Sequence, residues 1–130
     1  MKVEIYYFAY GTNLNKKNFF KKFKKAKILK KYYLRNFQIV FRTKYKVPDL
    51  KINTKSKVPG LIYKINKDIE KKLDVYEDYP KLYIKRYFKH NKKKIMYYSM
   101  KKKTSEKNPS GYYYKVMKEG YFQNNFKFKL

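Results

Sequence analysis

Runs of β-branched and aromatic residues predict that much of the chain is strand. Residues 3–9 and 58–65 are rich in β-branched and aromatic residues, which is typical of buried strands. Apolar positions between 26 and 41 predict one or two further strands. The polar segment 45–57, which includes Pro48, instead predicts a long surface loop.

Three segments have the apolar spacing of a helix. Residues 15–23 place phenylalanines on one face and lysines on the other. Residues 67–76 predict a second helix, for which Asn66 is a good N-cap. A third, short helix is expected to begin after Pro109 and to end at Gly120.

The second half of the chain also contains a predicted β-hairpin. Residues 82–89 alternate between two faces, and residues 95–100 follow as an antiparallel partner after a turn at 91–94. Residues 101–108 predict a charged loop, and 121–130 a tail with space for one short strand.

The order of these elements predicts a single α+β domain over residues 1–130, with its core at about 3–120. We expect a curled, mixed or antiparallel sheet with helices on its outside.

Composition excludes several kinds of chemistry. The chain has no Cys, so a disulfide framework, a thiol nucleophile and a thiolate metal site are excluded. His90 is the only histidine, which is too few for a histidine metal centre or a Ser-His-Asp triad with a spare base. No segment approaches the ~20 apolar residues of a membrane span, and the N-terminus lacks the features of a signal peptide. We therefore expect a cytoplasmic protein with no membrane partner, no metal and no cofactor.

The charge of the chain is strongly positive. The sequence has 36 Lys and Arg against 9 Asp and Glu, a net charge of +27 that predicts nonspecific attraction to anionic polymers at low salt. The lysines are spread along the whole chain, and only Arg35, Arg42 and Arg86 have the side chain suited to bidentate recognition of bases and phosphates. This pattern favours a solvated lysine surface over a site that reads nucleic acid.

The few acidic residues are concentrated in one place, because five of the nine lie between Asp68 and Asp78. Asp68 and Glu70 fall in the first turn of a predicted helix, where carboxylates favour the positive end of the helix dipole. Glu77 lies at the other end of that helix and is followed by aromatic residues. It is either a structural cap or paired group, or a base with a raised pKa. Asp74 and Asp78 have no assigned role.

The first predicted strand runs into a turn at Gly11 just before a helix. Glycine allows the backbone to approach a ligand closely, and the first amides of a helix are unpaired. Such a turn is a natural seat for a carboxylate or an oxyanion. The sequence has no GxGxxG or GxxxxGK[ST] motif, so a nucleotide-phosphate loop is not supported.

Four segments, in order, resemble the γ-glutamylcyclotransferase family, which includes the AIG2-like proteins. Residues 7–14, YFAYGTNL, are similar to the family signature YFAYGSNL, with Thr12 in place of Ser. Residues 60–63 are similar to its Gly-x-hydrophobic-Tyr/Trp strand, and residues 73–77 to its LDxxE segment. The PSxxY…G close of the domain is matched from Pro109 to Gly120. The resemblance spans about residues 6–120.

The resemblance implies a small β-barrel flanked by helices and an intramolecular reaction. In this family the free α-amine of a γ-glutamyl group attacks its own γ-carbonyl, which forms 5-oxoproline and expels the amine or amino acid bonded there. A single carboxylate can move both protons, and ring closure has its own proximity advantage. The expected partner is a small γ-glutamyl substrate.

The resemblance also assigns roles to residues. Glu77 is implied as the general acid and base. The γ-glutamyl carboxylate and carbonyl would be held by backbone amides of the turn, which consists of Tyr10, Gly11, Thr12, Asn13 and Leu14. The segment that leads into this turn is Tyr7, Phe8 and Ala9. Pocket tyrosines are implied at Tyr83, Tyr98 and Tyr113, for which core packing is the alternative, and Tyr98 has Tyr97 as its neighbour.

Two alternatives stay open at the level of sequence. The N-terminal motif is nearer the family branch that acts on γ-glutamyl amino acids, whereas residues 76–83 look more like the γ-glutamylamine branch. The chain could also be a catalytically silent member of the family that acts as a basic, anion-binding protein. The sequence is compatible with a monomer or a dimer.

Overall fold

Six strands and three helices make up most of residues 4–130, the part of the chain that the computed structural model describes. In chain order they are β1 (Ile5–Ala9), α1 (Lys16–Lys22), β2 (Lys27–Arg42), β3 (Val47–Ile65), α2 (Lys67–Tyr76), β4 (Tyr83–His90), β5 (Lys93–Met100), β6 (Glu106–Lys107) and α3 (Gly111–Gln123). A 3₁₀ turn, Thr12–Leu14, connects β1 to α1. The predicted start of the first strand at residue 3 lies outside the described residues.

The strands form one mixed sheet in the order β4-β5-β1-β3-β2-β6. β1 lies between β3, with which it is antiparallel, and β5, with which it is parallel. The other pairs are antiparallel, including the predicted hairpin of β4 and β5. Asn91 and Lys92 connect that hairpin with positive φ angles of 49° and 64°, the conformation of a two-residue type I′ turn. The α+β prediction is confirmed.

Each face of the sheet carries a buried core cluster. One face packs against residues of all three helices, among them Phe19, Leu73 and Tyr121. The other face has its own core cluster, which includes Phe8 and Ile62 and consists of strand and strand-end residues. Because no helix within residues 4–130 contributes to this second cluster, the sheet itself must curl to enclose it. The result is a half-barrel with the helices on its outside.

The predicted surface loop at 45–57 is wrong, because most of it belongs to β3. β2 and β3 form a long hairpin, and its turn is made by residues 43–46. Only the end of β3 from Leu61 to Ile65 also pairs with β1. The preceding residues of β3 have no partner in β1, so this part of the strand lies at an edge of the sheet, where proline is tolerated. Residues 51–57 are largely exposed there, whereas Pro48 and Asp49 are buried. The exposed edge therefore explains only the second part of the loop-like composition.

The predicted end of the last helix at Gly120 is also wrong, because α3 continues to Gln123. Gly120 lies inside the helix, where an added Cβ would be 2.3 Å from Leu14 Cδ1 and 3.0 Å from the Asn15 backbone nitrogen. This glycine allows close helix packing and does not end the helix. The predicted tail is likewise corrected, since Tyr121 and Phe126 are buried in the core.

No helix within residues 4–130 is long and apolar enough to cross a membrane.

The predicted charged loop at 101–108 contains the short strand β6, which pairs with Phe41 and Arg42 at the end of β2. This pairing closes the outer edge of the hairpin next to a buried ion pair between Arg42 and Asp49, whose Nε and Oδ2 atoms are 2.8 Å apart.

Candidate active site

Glu77 is positioned by the C-terminal end of α2. Asn66 caps the start of this helix by accepting a hydrogen bond from the Ile69 amide at 2.9 Å. Ile69 and Leu73 are buried and hold the helix against the sheet. The Glu77 amide donates to the Leu73 carbonyl at 2.8 Å, so Glu77 is the residue at which the helix ends. Its side chain is directed by a well-anchored helix rather than by a free loop.

Glu77 lines a cavity of about 110 Å³ between the end of α2, the turn after β1 and strands β4 and β5. Ten of the twelve predicted site residues line the same cavity, namely Tyr7, Phe8, Tyr10, Gly11, Thr12, Asn13, Glu77, Tyr83, Tyr98 and Tyr113. Ala9 and Leu14 do not line it and are fully buried in the core. The structure thus brings together residues from four separate sequence segments.

The 3₁₀ turn that follows β1 is held rigidly by tyrosine hydroxyls. Tyr63 Oη donates to the Asn13 carbonyl at 2.8 Å, and Asn13 Nδ2 donates to Tyr7 Oη at 3.0 Å. Thr12 Oγ1 and Tyr76 Oη form a hydrogen bond of 2.9 Å that ties the turn to α2. Thr12 and Asn13 begin the turn, so their amides have no acceptor within it. Both residues line the cavity, so their amides are candidate donors to a ligand bound there.

The hydroxyls of three cavity tyrosines are fixed by strands and by α2. Tyr10 Oη donates to the Tyr98 carbonyl at 2.7 Å, and Tyr83 Oη donates to the Pro48 carbonyl at 2.6 Å. Tyr98 Oη donates to Asp74 Oδ1 at 2.7 Å. Burial raises the pKa of Tyr10, Tyr83 and Tyr98 well above the ordinary value, so these side chains stay protonated at neutral pH.

The acidic residues near Glu77 have distinct structural roles. Asp74 pairs with Lys85, whose Nζ lies 2.9 Å from Asp74 Oδ1. Asp78 has a positive φ of 51° and forms the turn after α2, in which its carbonyl accepts from the Leu82 amide at 2.8 Å. Neither carboxylate lines the cavity, whereas Glu77 does.

Glu77 differs from Asp74 in lacking a partner, and from the exposed Asp78 in lining the cavity. No hydrogen bond or ion pair from any residue in the range 4–130 reaches its carboxylate, although the side chain is partly buried. Burial without compensation raises its pKa from 4.5 to about 7, an effect that the charge of Lys22 partly opposes. The Lys22 ammonium lies 3.8 Å from the centre of the Tyr76 ring, beside the cavity. A carboxyl group with this pKa exchanges protons readily at neutral pH.

Sequence reasoning misses four residues that line the cavity, namely Val47, Pro48, Tyr76 and Leu82. Tyr76 precedes Glu77 and could have been found from its place in the same motif. Val47 and Pro48 could not, because the segment that contains them has the composition of a loop and in fact begins β3. An added Cβ on Gly11 would be 3.1 Å from Pro48 Cγ, so the two segments are in close contact.

Residues 7–118 match the protein family described as Gamma-glutamyl cyclotransferase, AIG2-like. The chain belongs to this family. The match includes Glu77 and every other predicted site residue, which confirms the resemblance found in the four sequence motifs. No curated protein matches the sequence of this family member.

Solved structures share the fold of this cyclotransferase-family chain. A structure described as a gamma-glutamyl cyclotransferase has a TM-score of 0.76 at 21% identity, over 96% of this chain and 82% of its own. An uncharacterized human protein gives 0.76 at 20% identity, over 95% and 82%. A mouse aig2-like protein gives 0.63 at 18% identity, over 75% and 78%. At these identities the likeness establishes the fold alone.

Proposed function

We propose that this protein releases 5-oxoproline from small γ-glutamyl compounds, with Glu77 as both general base and general acid. The observation that supports this most directly is the unpaired, partly buried Glu77 carboxylate, which shares one cavity with the rigid turn after β1. Membership of the cyclotransferase family supports the reaction type.

In the proposed reaction the α-amine nitrogen of the γ-glutamyl group attacks its γ-carbonyl carbon. Glu77 accepts a proton from the attacking nitrogen and returns it to the leaving nitrogen as the original amide bond breaks. The products are 5-oxoproline and a free amine or amino acid, with no net change in protons. A pKa of about 7 suits both transfers, because neither protonation state is strongly disfavoured at neutral pH.

The turn after β1 would stabilise the charge that develops on the γ-carbonyl oxygen. The amides of Thr12 and Asn13 have no acceptor within their own turn, and the turn is fixed by hydrogen bonds to Tyr63 and Tyr76. Donors that are already in place at the start of the reaction require no reorganisation and stabilise an oxyanion effectively. Because the reaction is intramolecular, it needs no covalent enzyme intermediate.

The substitution Glu77→Gln tests the assignment. It preserves shape but removes the proton carrier, so we expect 5-oxoproline release to fall by ~10²–10⁴ on general acid–base precedent. The assay is a panel of γ-glutamyl amino acids, γ-glutamyl-lysine and simple γ-glutamylamines, with 5-oxoproline as the measured product. This panel also identifies the leaving group.

Glu119→Gln is the matched control, because it makes the same chemical change at an exposed position of α3. It should leave turnover unchanged. Wild-type turnover in a folded Glu77→Gln variant would refute the proposed role of Glu77. A wild-type protein that releases no 5-oxoproline from any compound in the panel would refute the proposed function.

A further inference from the structure

A second cavity, of about 540 Å³, lies on the opposite face of β5 from the Glu77 cavity. Successive residues of a strand point to opposite faces of the sheet. Tyr98 lines the Glu77 cavity, and its neighbour Tyr97 lines the second one. Within residues 4–130 the two cavities share no lining residue, so the second is a separate place to bind a ligand.

One wall of the second cavity is apolar and aromatic. The Phe37 and Tyr97 rings lie 6.3 Å apart at an angle of 66°, and Leu50 is buried beside them. Ile52 faces Phe37 across the β2–β3 pair and is 76% exposed. An isoleucine this exposed next to an aromatic wall is suited to covering a flat apolar group.

The rest of the lining is cationic. Two of the three arginines in the chain, Arg42 and Arg86, line this one cavity, together with Lys51 and Lys103. Among the lining residues in the described part of the chain, the only carboxylate is that of Glu106. Such a concentration of arginine is unexpected in a chain whose positive charge is otherwise almost entirely lysine.

Three of these cations already have a carboxylate partner. Arg42 and Lys103 both contact Asp49, at 2.8 and 2.9 Å, and Lys51 contacts Glu106 at 2.8 Å. Arg86 forms no ion pair with any carboxylate in residues 4–130.

Arg86 is exposed, and one hydrogen bond orients its side chain. Its Nε donates to Ser99 Oγ at 3.3 Å, and it lies directly opposite Tyr97 in the β4–β5 register. The terminal nitrogens of its guanidinium are left to bind an anion next to the Tyr97 ring.

We propose that this second cavity binds a small phosphorylated aromatic compound of about the size of a nucleoside monophosphate. Arg86 binds the phosphate through its terminal nitrogens, and Tyr97, Phe37 and Ile52 contact the aromatic group. The volume falls within the ~300–1,000 Å³ range of small-molecule sites. The site requires nothing from Glu77, so it is independent of the proposed cyclotransferase activity.

The test is a binding titration of the full chain by calorimetry at physiological salt, with AMP, GMP, CMP and UMP as ligands. Adenosine and inorganic phosphate are the partial ligands. We expect at least one mononucleotide to bind at least about tenfold more tightly than either partial ligand, because it uses both walls of the cavity. If no mononucleotide binds more tightly than inorganic phosphate, the proposal is wrong.

Substitutions then locate the site. Arg86→Gln should weaken mononucleotide binding by about tenfold or more, and Tyr97→Leu should weaken it while leaving phosphate binding unchanged. Arg35→Gln is the matched control, since it removes the same charge from an exposed position on β2 outside the cavity. Equal losses in Arg86→Gln and Arg35→Gln would show that only the general positive charge is involved and would overturn the proposal.

Two further measurements distinguish mononucleotide binding from the proposed enzymatic activity and from nucleic-acid binding. Glu77→Gln should bind mononucleotides like the wild type, because the second cavity does not include Glu77. The affinity for a short oligoribonucleotide should not depend on Arg86 more strongly than the affinity for the mononucleotides does. If it binds more tightly than they do and loses that advantage in Arg86→Gln, the cavity serves nucleic acid and the small-molecule proposal is wrong.

Discussion

The unpaired Glu77 carboxylate lowers the stability of the folded protein but has a pKa suited to proton transfer. Asp49, Asp74 and Glu70 are all paired with cations, whereas the Glu77 carboxylate has no partner in the described part of the chain. Its raised pKa of about 7 is the direct consequence. Above that pH the protein carries a partly buried charge that Lys22 only partly compensates, as expected for the proposed role in proton transfer.

This cost in stability predicts that Glu77→Gln is more stable than the wild type in mildly basic solution. Because the folded-state pKa is raised from 4.5 to about 7, folding binds a proton between these values, and wild-type stability falls as the pH rises through that interval. Each unit of difference in pKa corresponds to about 1.4 kcal/mol of stability. We therefore expect the free energy of unfolding of the neutral variant to rise by about 1–3 kcal/mol relative to the wild type between about pH 5 and pH 8. Urea unfolding at both pH values measures this. Glu119→Gln should show no such gain, and a pH-independent difference for Glu77→Gln would contradict the assigned pKa.

Some residues of the site can be predicted from the sequence and others cannot. Glu77 and the turn at Gly11 are each part of a recognisable motif, so their chemistry can be proposed without a structure. The sequence does not tell which of Tyr97 and Tyr98 lines the Glu77 cavity. Alternation along a strand places them on opposite faces but does not say which face meets which cavity. The unpaired state of Glu77 also depends on tertiary structure, since its neighbour Asp74 finds a partner in Lys85 from another element.

At the scale of elements, the sequence predicts the helices more accurately than the long hairpin. Asn15 and Asn66 cap α1 and α2, and each side chain accepts a hydrogen bond from the amide three residues later, a local signal that the sequence contains in full. Residues 47–57, more than half of β3, are missed, and residues 51–57 among them are mostly polar and largely exposed along an edge of the sheet. Pairing with β2 depends on residues far along the chain, and composition alone does not reveal it.

Packing between α3 and the turn after β1 predicts an unusual effect of a glycine substitution. Replacing an internal helix glycine by alanine normally stabilises a helix by about 1 kcal/mol. In Gly120→Ala the new Cβ would meet the Asn15 backbone nitrogen at 3.0 Å, and α3 is held there by Asn124, whose Nδ2 donates to the Leu14 carbonyl at 3.0 Å. We therefore expect a net loss of roughly 1 kcal/mol or more in the free energy of unfolding, measured by urea titration.

The same substitution should lower 5-oxoproline release, because the displaced turn contains the amides that we propose as oxyanion donors. Lys115→Ala, at an exposed position of the same helix, is the control and should change neither property. A Gly120→Ala protein that is as stable as the wild type would show that α3 can move away from Asn15 without cost.

At the scale of the whole molecule, the net charge of +27 comes from lysines that are spread along the whole chain rather than gathered into one segment. Several lysines lie over aromatic rings, such as Lys57 over Tyr33 at 4.7 Å and Lys94 over Tyr87 at 4.1 Å. In these contacts the ammonium group itself lies over an aromatic ring, whose face attracts a cation. The charge is therefore treated as a general property of the surface, and the Arg86 cavity is the place where we propose that it serves specific recognition.

A distributed charge of this kind predicts polyanion binding that depends strongly on salt and weakly on any single residue. The affinity for a single-stranded oligonucleotide should fall linearly on a log–log plot against salt, with a slope of about 0.7 per contacted phosphate. Removing one charge among 36 basic residues should change that slope by no more than about one contact, and Arg35→Gln and Arg86→Gln should behave alike. Fluorescence anisotropy at several salt concentrations measures both. A single substitution that abolished polyanion binding would mean that the charge forms a localised nucleic-acid site. We expect the two arginine variants to bind a polymer equally well but a mononucleotide with different affinities. This combination would distinguish the general attraction of the surface from recognition within the cavity.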